Sequence, residues 1–316
     1  MSLRNLSPPL VTLAGVATMA GLPALDAILS TTSLPILKCI NAAAFALNVG
    51  AVSVPGRLDG QQDDEMRKGE LNPTKPDASN STASTVYGRN RSRTLVDPSG
   101  WAFAIWAPIY IGETSFVAYQ LLSSNADAVI PGIAAPFAAA NIMQSLWCAS
   151  FRPSYLGEGF KKYVSAGMLA GTAYSLSLVL KAGNAAAAAD PTFNTLMLSP
   201  MVMHFGWVTA ATLVNLNGSF ASDETASPRA LTALGHSSAL LATALGIGVT
   251  VSMSAPVYGF TIAWALSACA DGMAKRKPAH SEIDEKILST AAKVQSKLCW
   301  AGSLACGATA LYTALV

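Results

Sequence analysis

The chain has 316 residues, 52% of them hydrophobic and 12% charged, with a formal net charge of +2. Soluble domains carry roughly a quarter charged residues, so this deficit argues against a soluble fold. A balance this near neutral gives no reason to expect a nucleic-acid partner.

In chain order, residues 5–25 are uncharged, follow Arg4 and contain Pro8, Pro9 and Pro23. Three readings stay open: an extra span, a signal-like targeting segment that is removed, or a proline-broken helix lying against a bundle. The main spans are expected near 34–55, 100–122, 131–151, 163–181, 195–216, 229–251, 255–273 and 297–316. About 20 apolar residues cross a bilayer. Residues 191–222 and 230–270 hold no Asp, Glu, Lys or Arg, and the second stretch is long enough for two crossings, with Pro256 at the break. Backbone groups in lipid must be satisfied internally, so the spans are helices. A transmembrane barrel would need short alternating strands, and the sequence has none.

Two polar segments interrupt the apolar runs. Residues 56–99 are rich in Ser, Thr, Asn, Asp and Pro, with seven basic and seven acidic side chains. That composition favours a disordered loop over a second domain. Residues 274–296 are more periodic, and Ile283, Ile287, Leu288, Ala291 and Val294 predict the apolar face of a surface helix. With eight spans, segments 56–99, 152–162, 217–228 and 274–296 fall on one side and carry nearly all the loop Lys and Arg. The opposite loops 123–130, 182–194 and 252–254 carry none, with Lys181 at the edge of one. The positive-inside rule then places loops 56–99 and 274–296 on the cytoplasmic-equivalent side, in an organelle the sequence does not identify. The sequons at Asn80, Asn90 and Asn217 lie on that side and are expected to be unmodified.

Polar residues inside spans are costly, which makes them candidates for function. They are Asn41, Asn48, Glu113, Gln120, Asn141, Gln144, His204, Asn215, His236 and Asp271. Asn41 and Asn48 share a helix face and suit hydrogen bonds to neighbouring helices. Asp271, four residues before Lys275, reads as an interfacial anchor, and His236 as a packing or capping residue. Glu113 lies mid-span on one stripe with Trp106 and Tyr110, while Trp101 falls off it. His204 is its candidate partner. The competing reading is a neutral acid bonded to a carbonyl or to Gln.

Trp101, Trp264 and Trp300 suit an interfacial aromatic belt. Trp106, Trp147 and Trp207, each with small neighbours, suit the wall of a pocket, although plain core packing competes. The five cysteines (Cys39, Cys148, Cys269, Cys299, Cys306) have no metal spacing and read as small packing residues rather than a disulfide framework. No Ser-His-Asp order, HExxH, P-loop or GxGxxG-to-helix motif occurs, and too few ionisable groups lie at membrane depth to support an enzyme comfortably.

Several of these residues occur in a familiar order. Trp101, Phe103, Trp106 and Tyr110 are followed by Asn141, Trp147 and Phe151, then by Trp207, Val208, Ala211 and Asn215. The pattern resembles the tryptophan-rich sensory protein and translocator-protein family, formerly the peripheral benzodiazepine receptors, over roughly residues 34–217. The stretch Pro98-Ser-Gly-Trp-Ala-Phe-Ala-Ile-Trp resembles a longer branch of that family. The departures are the long loop 56–99, three further spans, and a fifth-helix proline displaced to Pro200.

The expected architecture is an all-α integral membrane protein. It has an N-terminal apolar segment (1–33), a translocator-like five-helix core (34–217, including loop 56–99) and a three-helix C-terminal extension (218–316). The resemblance implies binding of tetrapyrroles or sterol-like planar molecules, in sensing or trafficking. Porphyrin or haem would be a ligand, and no cofactor is required. Trp106, Tyr110, Trp147 and Trp207 would wall that ligand, while Glu113, Asn141, His204 and Asn215 would supply polar contacts. Expected partners are the lipid bilayer and a hydrophobic small molecule, and the sequence also admits a homo-oligomer. The rival readings are a proton-coupled secondary transporter using Glu113, or a structural subunit of a membrane complex.

Overall fold

A computed structural model describes residues 7–53, 92–150, 155, 159–187, 197–276 and 282–316. The described chain is helical, in the order α1 (Pro8–Leu29), α2 (Leu34–Ser53), α3 (Trp106–Leu122), α4 (Ile130–Ser150), α5 (Val164–Ala187), α6 (Ser199–Ala221), α7 (Pro228–Ser252), α8 (Pro256–Ala274) and α9 (Glu282–Leu315). A 3-10 turn, Gly100–Ile105, leads into α3, and another, Gly159–Tyr163, into α5. Five helical stretches are long and apolar enough to cross a membrane: Pro8–Leu29, Leu34–Val52, Gly159–Ala185, Pro228–Ser252 and Asp284–Leu315. The protein is therefore an all-α integral membrane protein, as its composition predicts. Its exposed large side chains, among them Leu13, Ile28, Leu304 and Leu311, suit a lipid-facing surface.

All eight main spans occur as helices within a few residues of their expected bounds, except at α9. Proline positions explain several starts. Pro8, Pro228 and Pro256 sit in the first turns of their helices, where a missing N–H costs nothing. Ser227 also caps α7 by accepting from Ala230 N at 3.2 Å. Residues 5–25 supply most of α1, which Pro23 does not break and which packs on α4 and α5. The surface helix expected over 274–296 is instead the first part of α9, which continues through the last span without a stop. Its buried side there is Leu288, Ala291, Ala292 and Gln295, whereas Ile287 and Val294 turn outward. The helix docks against α7 and α8 along that side, so the packing face is set by the whole helix and not by the local apolar pattern.

The packing order runs α1 and α2 on α4, α4 on α5, α5 on α6, and α3 against α2 and α6. On the other side α6 meets α7 and α8, and both pack on α9. The described parts of the four basic-side segments meet at one end of the bundle. Arg93 donates to the carbonyls of Ala221, Asp223 and Ala226, and lies 3.4 Å from Asp284. Arg276 pairs with Glu285 at 3.1 Å and donates to the Ser92 carbonyl. Lys162 pairs with Asp223 at 2.9 Å. Hydrogen bonds from Thr225 and then Lys162 hold the Asp223 carboxyl well below the usual carboxylate range. The remaining residues of loop 56–99, with the Asn80 and Asn90 sequons, lie outside the described residues.

Candidate functional site

The close approach of α3 to α6 organises the site. A Cβ on Gly112 would overlap the ring of Pro200 in the first turn of α6, so only glycine lets the helices come this near. One residue on, Glu113 Oε1 lies 2.8 Å from His204 Nδ1. Both side chains are enclosed, at 1% and 2% exposure. Among the described residues, Glu113 Oε2 and His204 Nε2 are buried without a hydrogen-bond partner. Of the two readings the sequence left open for Glu113, the geometry is the pairing with His204 and not with a carbonyl or Gln.

Aromatic rings surround the pair. Trp106 stacks on Tyr110 at 5.5 Å, as one turn of α3 requires, and meets His204 edge-on at 5.5 Å. Trp207, one turn of α6 beyond His204, meets Trp106 edge-on at 6.1 Å and Phe103 at 5.7 Å. Trp207 also shares a buried apolar cluster with Ala102, Ile105, Ile109, Ala265 and Ala268. Phe45 of α2 extends the wall, with its ring 6.3 Å from Tyr110 and 6.5 Å from Phe137 of α4. Phe45 was not among the residues singled out in the sequence. Its signal was available, since it lies four residues after Asn41 and three before Asn48, on the helix side that bears both amides.

The remaining candidates are placed apart from this cluster. Trp147 donates its indole N–H to Asn215 Oδ1 at 3.3 Å, joining α4 to α6. Asn141 accepts from Asn48 Nδ2 at 2.9 Å, and donates to its own helix at Phe137 O. Trp147, Asn215 and Asn141 are thus bonded to other groups, whereas Trp106, Tyr110, Glu113, His204 and Trp207 come together. Gln144 carries a further signal, being fully buried on α4 with neither amide atom partnered. Seven residues separate it from Phe137, so it lies on the α4 side whose Phe137 ring meets Phe116 of α3 at 5.5 Å.

The other polar residues take structural roles. Asn41 donates to Gln120 Oε1 at 3.0 Å, a helix–helix bond of the kind expected. Asp271 holds Lys275 at 2.7 Å and the Trp101 indole at 3.0 Å. Trp101 meets Trp264 edge-on at 4.6 Å, and Trp101, Trp264 and Trp300 are all exposed. His236 meets Gln295 Oε1 at 2.6 Å. Asn217 is buried and donates to Leu213 O and Ser238 Oγ, bonds a glycan there would have to break. A small space lies between α6, α7, α8 and α9, lined by Leu213, Ala242, Ile262, Leu266, Cys269 and Cys299 among others. At about 20 Å³ it has room for about one water, not for a planar ligand.

The sequence model of a family described as TSPO-like protein matches residues 77–298. The match leaves out α1 and α2 and takes in α3 to α8 with the first half of α9. No curated protein and no solved structure matches the chain.

Proposed function

This chain belongs to the TSPO-like protein family, and we propose that it binds a planar hydrophobic ligand, a tetrapyrrole or sterol-like molecule, in membrane sensing or trafficking. One observation carries the reading. A buried carboxyl–imidazole pair with one unpartnered atom on each member lies beside a wall of Trp106, Tyr110, Phe45 and Trp207. Apolar pockets with few, well-placed polar groups bind such ligands. Plain core packing would explain the rings, but it gives no reason to enclose Glu113 Oε2 and His204 Nε2 without partners. Trp147 with Asn215, and Asn141 with Asn48, would support the site from outside it by fixing α4 against α6 and α2.

The test is a tryptophan-fluorescence titration of the detergent-purified protein with protoporphyrin and haem, with Trp106→Ala and Trp207→Ala run beside it. Saturable quenching is expected, weakened about tenfold or more in each variant, as for a buried aromatic anchor. Linear quenching insensitive to both substitutions would mean partition into the micelle and would end this assignment.

A further inference from the structure

Glu113 and His204 share one hydrogen bond, and its chemistry fixes what the two free atoms can do. The pair is net neutral either as carboxylate with imidazolium or as carboxylic acid with imidazole. In the first form both ring nitrogens carry hydrogen. In the second the acid donates to Nδ1, so the ring hydrogen must sit on Nε2. Either way Nε2 is a donor and Oε2 is a bare acceptor, and both lack a partner. A net negative pair, enclosed at 1% and 2% exposure, would carry a desolvation penalty of several kcal/mol.

We propose that this pair holds one proton between its side chains, and that a ligand carboxylate enters the site only together with a second proton taken from solvent. The inference rests on the ligand reading above and adds its regulation. The entering carboxylate accepts from Nε2–H with one oxygen. Its other oxygen then meets Glu113 Oε2, acceptor against acceptor, and the second proton forms an O–H···O bond between them. The site gains one anion and one proton, so its net charge stays zero. An ester accepts from Nε2–H and takes up no proton.

The other titratable groups on α3 and the helices around it are placed as follows. On α3, Tyr110 touches the His204 ring at 6.4 Å, and Tyr119 is two turns nearer the helix end than Tyr110. On α2, Cys39 is exposed and Lys38 is paired with Asp127 at 2.6 Å. On α5, Tyr174 and Lys181 are exposed. On α7, Arg229 is exposed and His236 faces Gln295. On α8, Tyr258 rests on Phe205, Cys269 lines the small cavity, and Asp271 is held by Trp101 and Lys275. Cys148 of α4 is buried in the core.

The experiment compares protoporphyrin with its dimethyl ester on the full chain in detergent, between about pH 6.5 and pH 8.5, above the usual carboxylate range. One linked proton predicts that affinity for the free acid falls about tenfold per pH unit as pH rises, while affinity for the ester stays flat. A flat profile for the acid, or equal slopes for acid and ester, would each overturn the proposal. Absence of saturable binding by both compounds would overturn the ligand reading itself, and the two failures are thereby distinguished. Infrared difference spectra of the protein give a second readout. Adding the acid should raise a protonated-carboxyl C=O band that the ester does not, and no difference between the two would reject the mechanism.

Discussion

The two sides of the bundle treat buried polarity in opposite ways. In α7–α9 the enclosed polar side chains are paired. Gln295 donates to Gly235 O and receives His236, while Thr250 bonds Gly246 O and Thr261 bonds Val257 O. Ser238 accepts from Asn217 of α6. Across α2, α3, α4 and α6, Asn48 Oδ1, Glu113 Oε2, His204 Nε2 and both amide atoms of Gln144 are enclosed with no partner among the described residues. An unmade buried hydrogen bond costs about 1–3 kcal/mol. The same chain satisfies such groups fully some helices away, so leaving them open here is a local feature of the α2–α3–α4–α6 side. One region reads as scaffold and the other as site.

The largest test of that division is on the buried pair. Removing one member, as in His204→Leu, leaves Glu113 uncompensated and should destabilise by about 3–5 kcal/mol. Replacing both, Glu113→Leu with His204→Leu, should recover the loss and can exceed the starting stability by about 1–4 kcal/mol, while ligand quenching is lost. Denaturant unfolding in mixed micelles, followed by helical circular dichroism, measures all three. If the double variant were no more stable than the single one, the pair would be structural and the contrast between the regions would fail.

A packing change in the scaffold should do the reverse. A Cβ on Gly246 would crowd Cys306 Sγ and Ile262 Cγ2, the latter at 2.9 Å. Gly246→Val should therefore cost about 1–3 kcal/mol by overpacking. Affinity of the folded fraction for protoporphyrin should not change. Affinity lost without a change in stability would show that the C-terminal helices belong to the site.

Much of this was legible in the sequence, and the remainder shows where such reading stops. Charge-free runs and proline positions give the helices, because lipid leaves backbone groups no other solution. The mid-span Glu113 leaves two partners open, His204 or a carbonyl or Gln, and only the crossing of α3 and α6 decides for His204. The single long α9 was not legible, since its first turns follow a polar segment and only contact with α7 and α8 selects their face. The division of the eight site candidates into one cluster of five, the Trp147–Asn215 pair and Asn141, which bonds to Asn48 instead, was also hidden. It depends on the close crossing of α3 and α6 at Gly112 and Pro200, a pairing between residues far apart in sequence. Phe45 escaped for a related reason, as a lone phenylalanine on an apolar helix looks like packing until a neighbour brings Tyr110 to its ring.

The smallest test compares two asparagines of the same chemistry. Asn48 donates to Asn141 Oδ1 across α2 and α4, but its own Oδ1 has no partner. Asn217 donates both to Leu213 O and to Ser238 Oγ across α6 and α7. An interhelical bond of this kind in a membrane protein is worth about 0.6 kcal/mol on average and at most about 1.7. Asn48→Leu loses one such bond and leaves Asn141 Oδ1 without that donor, but it also removes an unpaired oxygen, which offsets part of the loss. Asn217→Leu loses its bonds and leaves Ser238 Oγ without its donor from α6, so nothing offsets the loss. Asn217→Leu should therefore be the more destabilising by a few tenths to about 1 kcal/mol, measured in the same unfolding assay. The opposite order would mean that Asn48 Oδ1 finds a partner in the membrane-embedded protein, and the α2–α4 side would then be as fully satisfied as the scaffold it is contrasted with.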